Sequence, residues 1–121
     1  MVDRRRALGV SGEDAVAAWY RANGYEIVAR NWRCREGELD LVVARERCVV
    51  FCEVKTRTGT GFGIPAEAVT HEKQRRLRRL ATRWLGERPP TGGFADVRFD
   101  VACVTLRAGG APDLEVIEAA F

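Results

Sequence analysis

The fold is decided by Glu38-Leu39-Asp40-Leu41-Val42-Val43-Ala44-Arg45 and, after Glu46-Arg47, Cys48-Val49-Val50-Phe51-Cys52-Glu53-Val54-Lys55. Both halves are dominated by β-branched and aliphatic residues and read as strands joined by a tight turn. A two-residue turn sets Arg45 opposite Cys48. One face of the hairpin then pairs Ala44 with Val49, Val42 with Phe51, Asp40 with Glu53, and Glu38 with Lys55. The other pairs Val43 with Val50, Leu41 with Cys52, and Leu39 with Val54. The second face is apolar throughout, whereas the first is apolar near the turn and charged at its far end. Such a hairpin belongs in the middle of a sheet covered on both sides.

The charged end carries a cost. Facing strand residues have Cβ atoms about 4.5–5.5 Å apart, and like charges at that separation repel. Asp40 and Glu53 are tolerable if one is protonated, if Lys55 compensates, or if a cation lies between them. Two convergent carboxylates suit a hard divalent ion. The competing reading is a structural cluster, with Glu38 on Lys55 and Asp40 on a neighbouring arginine. The gathering of acids at one end of otherwise apolar strands favours a site. Lys55 beside it can act as a compact ammonium that stabilises negative charge on a reacting phosphate.

Upstream, Ser11 with Asp14 three residues on predicts a helix start. Ala15, Ala18, Trp19 and Ala22 recur at helical spacing, and Asn23-Gly24 ends the run. Residues 1–10 are then a flexible basic tail, and 11–121 form one domain. Tyr25 to Trp32 reads as a strand, and Arg33 to Gly37 as a polar turn. Downstream, Thr58 to Pro65 is glycine-rich but lacks the order of a phosphate-cradling loop. Thr70 caps a long helix whose stripe is Leu77, Leu80, Ala81, Trp84 and Leu85, with most arginines on the opposite side. Val97 to Leu106 and Leu114 to Ala119 read as strands around a turn at Gly109-Gly110. The expected architecture is α/β, a mixed sheet with helices against it. Its first three strands form an antiparallel meander, and the long helix returns the chain to a parallel fourth strand.

At 121 residues, 46% hydrophobic and 31% charged, the chain has the composition of one globular domain. No apolar run approaches the ~20 residues of a membrane span, and polar Ser11-Gly12-Glu13-Asp14 follows the basic start where a signal peptide would turn apolar. A cytoplasmic protein that makes no membrane contact is expected. Cys34, Cys48, Cys52 and Cys103 lack zinc-site spacing and read as small hydrophobes. A net charge of +3 is mild, but Lys73, Arg75, Arg76, Arg78, Arg79 and Arg83 crowd one segment in a manner suited to phosphate backbones. Of twenty basic residues only Lys55 and Lys73 are lysines, which singles both out. Glu13, in a first helical turn, on position alone merely complements the helix dipole.

Taken in order, Gly12-Glu13, Asn31, Gly37-Glu38-Leu39-Asp40-Leu41, Phe51-Cys52-Glu53-Val54-Lys55-Thr56-Arg57, Phe62-Gly63 and Glu67-Ala68-Val69 running into Lys73 resemble the YraN-like uncharacterised protein family. That family lies within the PD-(D/E)XK superfamily of restriction-endonuclease-like and Holliday-junction-resolvase-like nucleases. The match spans Ser11 to about Leu85 and continues at Arg98-Phe99-Asp100-Val101; its one departure is Cys52, where an aliphatic residue is more usual.

The resemblance implies an αβββαβ core and, through its intact motif, catalytic competence without an established reaction; the leading reading is an endonuclease dependent on Mg²⁺ or Mn²⁺, with recombination or repair as a candidate setting. The resemblance also implies Asp40, Glu53, the Val54 carbonyl and Glu13 as metal ligands, and Lys55 as catalytic. Arg57, Lys73, Arg75, Arg76 and Arg79 would hold flanking phosphates, and the glycine-rich loop would close over the strand. DNA is the expected partner, although branched, nicked and single-stranded forms, and RNA, all suit the motif. Resolvase-like relatives often dimerise, which makes a homodimer a candidate assembly. The alternative is a nucleic-acid-binding module on the same fold that does not cleave.

Overall fold

The computed structural model describes residues 4–58, 69–88 and 93–121. Helix α1 (Arg4–Ala22) leads into strands β1 (Glu26–Cys34), β2 (Gly37–Arg45) and β3 (Cys48–Thr58). Helix α2 (His71–Gly86), β4 (Asp96–Leu106) and β5 (Asp113–Ile117) complete the chain. The sheet runs in the order β1-β2-β3-β4-β5, antiparallel except for the parallel pair β3–β4. This is the αβββαβ core expected from the sequence, with β5 added at one edge.

The hairpin obeys its turn. Glu46 adopts φ 55°, the left-handed conformation that a two-residue connection demands, and Arg45 faces Cys48 as the two-residue count requires. Alternate residues of β3 therefore enter different cores. Val49 and Phe51 join Val42, Phe99 and the α2 residues Leu77, Leu80, Ala81 and Trp84 on one side of the sheet. Val50 and Cys52 join Leu41, Val43, Ala102 and the α1 residues Val16, Ala17 and Tyr20 on the other. Thr70 caps α2, its Oγ1 accepting from the Lys73 N–H at 3.2 Å. All four cysteines are free thiols.

The start of α1 departs from expectation. The backbone of residues 4–10 is already helical, so Ser11 lies inside the helix and does not start it. Arg4-Arg5-Arg6-Ala7-Leu8 are good helix formers and carry the helix past Gly9 to an earlier start. Asp14, freed from a capping role, accepts a hydrogen bond from Arg30 at 2.7 Å.

Asp100 ties the layers together. Fully buried, it accepts from the Tyr20 hydroxyl at 2.6 Å, from Arg98 twice at 2.9 Å, and from the Ala119 N–H at 3.0 Å. One carboxylate so joins α1, β4 and the chain after β5. Loss of the Asp100 carboxylate would take the acceptor from the Tyr20 hydroxyl and the Ala119 N–H at once.

Candidate active site

The β2–β3 ladder stops at Leu41 opposite Cys52. The facing pairs expected beyond it, Asp40 with Glu53, Leu39 with Val54 and Glu38 with Lys55, do not form. Instead the Val54 N–H donates to the Asp40 side chain, Oδ2, at 2.9 Å. A backbone donor that would have continued the ladder is met by a carboxylate, and the strands part. In an extended strand the N–H and C=O of one residue leave on the same side, so the Val54 carbonyl also faces this opening.

A second irregularity reinforces the first. Ala29 to Cys34 pair with Val42 to Gly37 in unbroken register except at Asn31 and Asp40, and Asn31 has φ 51°. Across this point β2 changes face: Leu41 packs in the α1-side core, but Leu39 packs with α2. The expectation that Leu39 and Leu41 share a face is therefore corrected. Strict alternation of β2 fails at Asp40, the position that the β1–β2 register skips together with Asn31, and Glu38 stands with Glu13 and Asp40 and not opposite Lys55.

Two charged groups lie about the opening. In the first, Glu13, Glu38 and Asp40 are half-buried, and each contributes a carboxylate oxygen to a set lying within 4.8 Å of one another. Glu13 arrives from α1 because Gly12 permits close approach: a Cβ there would overlap the Thr56 hydroxyl of β3 outright. Burial raises the Glu13 pKa against the opposing effects of the Asn31 side-chain hydrogen bond and the Arg30 charge. Arg30 approaches Glu13 at 3.9 Å, and Arg33 pairs with Glu38 at 3.1 Å.

In the second group, Glu53, only 9% exposed, receives Lys73 at 2.7 Å and Lys55 at 3.5 Å, both on Oε1. The only two lysines of the chain thus converge on one oxygen. Burial lowers the Lys55 pKa, and the neighbouring Lys73 lowers it further. Burial also works against the Lys73 charge, but hydrogen bonding to Glu53 and Lys55 and the Glu53 field outweigh it, so its pKa is raised.

Asp40 belongs to both groups. Its pKa is pushed up to about 7, first by burial and then by the Glu53 charge, against the opposing Val54 N–H, with Glu13 and Glu38 adding to the rise. Such a cluster of hard oxygen donors, with no cation among the described ion pairs on Asp40 itself, is a fit for Mg²⁺ or Mn²⁺. Opposite oxygens on an ion at 2.0–2.1 Å lie about 4.2 Å apart, within the span of the three carboxylates.

Asp40, Glu53, Lys55 and Glu13 are therefore brought together. Glu38, read from sequence as a possible partner of Lys55, stands instead with Glu13 and Asp40. Lys73, expected on flanking phosphate, lies in the site; its signals were the rarity of lysine and the Thr70 cap that fixes the first turn of α2. The expected nucleic-acid residues divide. Arg75 and Arg76 are exposed. Arg79 approaches Glu36 at 3.9 Å, where Arg83 also pairs at 3.3 Å. Arg57 donates to Thr105 Oγ1 at 3.4 Å. Beyond Thr58, the glycine-rich loop, with the Phe62-Gly63 and Glu67-Ala68 matches, lies outside the described residues.

Comparison with known proteins agrees with the resemblance. The model of the uncharacterised protein family UPF0102 matches residues 12–104, a span holding both charged groups. A UPF0102 protein of Nocardia farcinica is 49% identical over 120 residues, covering 99% of this chain and 93% of its own. One from Frankia casuarinae is 54% identical over 115 residues, covering 95% and 96%. One from Acidothermus cellulolyticus is 46% identical over 125 residues, covering 97% and 95%. With a fold of the expected αβββαβ order and this likeness along nearly its whole length, the chain belongs to the UPF0102, YraN-like, family.

Proposed function

We propose that the protein is a Mg²⁺- or Mn²⁺-dependent nuclease that hydrolyses phosphodiester bonds in DNA. The observation that carries this reading is the parting of β2 and β3 at Asp40. It sets a carboxylate group (Glu13, Glu38 and Asp40) beside a buried glutamate that bears two lysines. Asp40, Glu13, Glu38, Glu53 and the Val54 carbonyl make up the donor set. When bound, the cation supplies Lewis-acid polarisation of the phosphate and acidifies water.

The remaining chemistry falls to the chain. Lys55, held near Glu53 but one-third exposed, faces a non-bridging phosphate oxygen and stabilises the charge that builds as water adds to phosphorus and an ester bond breaks. Exposed Arg75 and Arg76 hold neighbouring phosphates, contacts that position a strand without reading its sequence. The test is a panel of labelled branched, flapped, single-stranded and duplex DNAs, with RNA counterparts, incubated with Mg²⁺, Mn²⁺ or EDTA. Metal-dependent cutting of DNA supports the reading. Nucleic-acid binding without cutting under any condition points to a non-cleaving module, and cutting confined to RNA corrects the substrate.

A further inference from the structure

Glu53 is held by lysine alone among the described ion pairs, in a chain whose default cation is arginine. The difference matters chemically. An arginine fork grips a carboxylate through two parallel hydrogen bonds, whereas lysine is a point charge on a flexible stem. A single-point contact is the kind that can be exchanged. Lys73 makes the shorter contact, 2.7 Å against 3.5 Å for Lys55, and comes from α2 while Lys55 shares β3 with Glu53. Lys73 is 23% exposed, so its ammonium has a route towards solvent. Across the opening stand three carboxylates, none of which the described ion pairs join to either lysine.

From this geometry we infer that Lys73 is a displaceable counter-ion of Glu53. It holds that carboxylate in the metal-free protein, leaves it when Glu53 turns to a divalent cation, and then binds a substrate phosphate. The inference rests on the nuclease reading and adds to it a coupling between cation loading and nucleic-acid binding. Because coupling free energies are reciprocal, DNA should strengthen cation binding by the same factor as the cation strengthens DNA binding. Lys73 thus binds substrate only after the exchange, in distinction from Lys55, which stays beside the reacting phosphate throughout.

The test is calorimetric titration of the full chain with Mn²⁺. Lys73→Met removes the competing ammonium and should tighten Mn²⁺ binding by about 5- to 20-fold, the size of a partly exposed charged hydrogen bond. In a Glu53→Gln background the same substitution should have little effect, because the competition runs through that carboxylate. Lys73→Arg, which keeps charge and grips harder, should weaken Mn²⁺ binding, and it serves if the methionine variant does not fold. Binding of a labelled duplex should gain from Ca²⁺ in the parent and gain much less in Lys73→Met. Unchanged Mn²⁺ affinity in Lys73→Met, or the same tightening with Glu53→Gln present, overturns the exchange and leaves the nuclease reading standing. A parent that binds no Mn²⁺ overturns both.

Discussion

Asp40 accepts the Val54 N–H on its carboxylate at 2.9 Å, where a regular hairpin would continue its ladder. This contact ends one strand pairing and opens the site. It also opposes the rise in the Asp40 pKa without cancelling it. An asparagine could make the same contact through its amide oxygen, which permits a clean separation of shape from charge.

In EDTA, Asp40→Asn should melt at or above the parent temperature at neutral pH. The pH dependence fixes the sign. Asp40 has an ordinary value of 3.8 when unfolded and about 7 when folded. Its contribution to stability is therefore complete below about pH 4 and is lost as pH rises through 7. The parent should lose ground to Asp40→Asn between these limits, by on the order of 1–4 kcal/mol. With millimolar Mn²⁺ the order should reverse, since the parent gains more from the cation. Thermal melts across pH, with and without metal, check both statements.

Gly12→Ala should destabilise the protein by roughly 1–3 kcal/mol, the usual cost of overpacking. The added methyl meets the Thr56 hydroxyl and pushes α1 from the sheet. Glu13 moves with it, so Mn²⁺ affinity should fall as well. Adding Thr56→Ala should recover part of both losses. Melting and Mn²⁺ titration of the single and double variants measure the recovery.

Charge reversal of Arg75 and Arg76 together should flatten the salt dependence of duplex binding by about 2 in log–log slope, each lost phosphate contact contributing about 0.9. Arg79→Glu should matter less, since that side chain already faces Glu36. Fluorescence anisotropy over a salt series reads the slope.

Lys55→Ala should bind Mn²⁺ and duplex nearly as the parent does, yet cleave at least about 10²-fold more slowly. Single-turnover cleavage alongside equilibrium binding separates these effects. Equal loss of binding and cleavage would place Lys55 in ground-state binding.

The register of β2 and β3 was legible because a two-residue turn and two buried faces leave one solution. The Thr70 cap and the Asn23-Gly24 stop were legible because each answers a local backbone need; Gly24 does adopt φ 86°. The end of the ladder was not. Alternation assumes that N–H groups meet backbone carbonyls, and the side chain of Asp40 breaks that assumption at one residue. β2 also changes face at Asp40, where its register with β1 skips one pair, so Glu38 leaves the face on which alternation had set it. Lys73 illustrates a different limit: its helix was predicted, but its contact with Glu53 depends on how α2 lies on the sheet, which no local pattern encodes.

If the carboxylates around Asp40 sustain metal-dependent phosphodiester hydrolysis, cleavage of the labelled DNA panel in Mn²⁺ separates the parent from Asp40→Asn, purified in parallel and matched for folding by melting temperature. Cleavage is expected from the parent, abolished by EDTA and lost in Asp40→Asn despite its intact fold. A parent inert on every DNA, or an Asp40→Asn variant that cuts at the parental rate, would contradict that role.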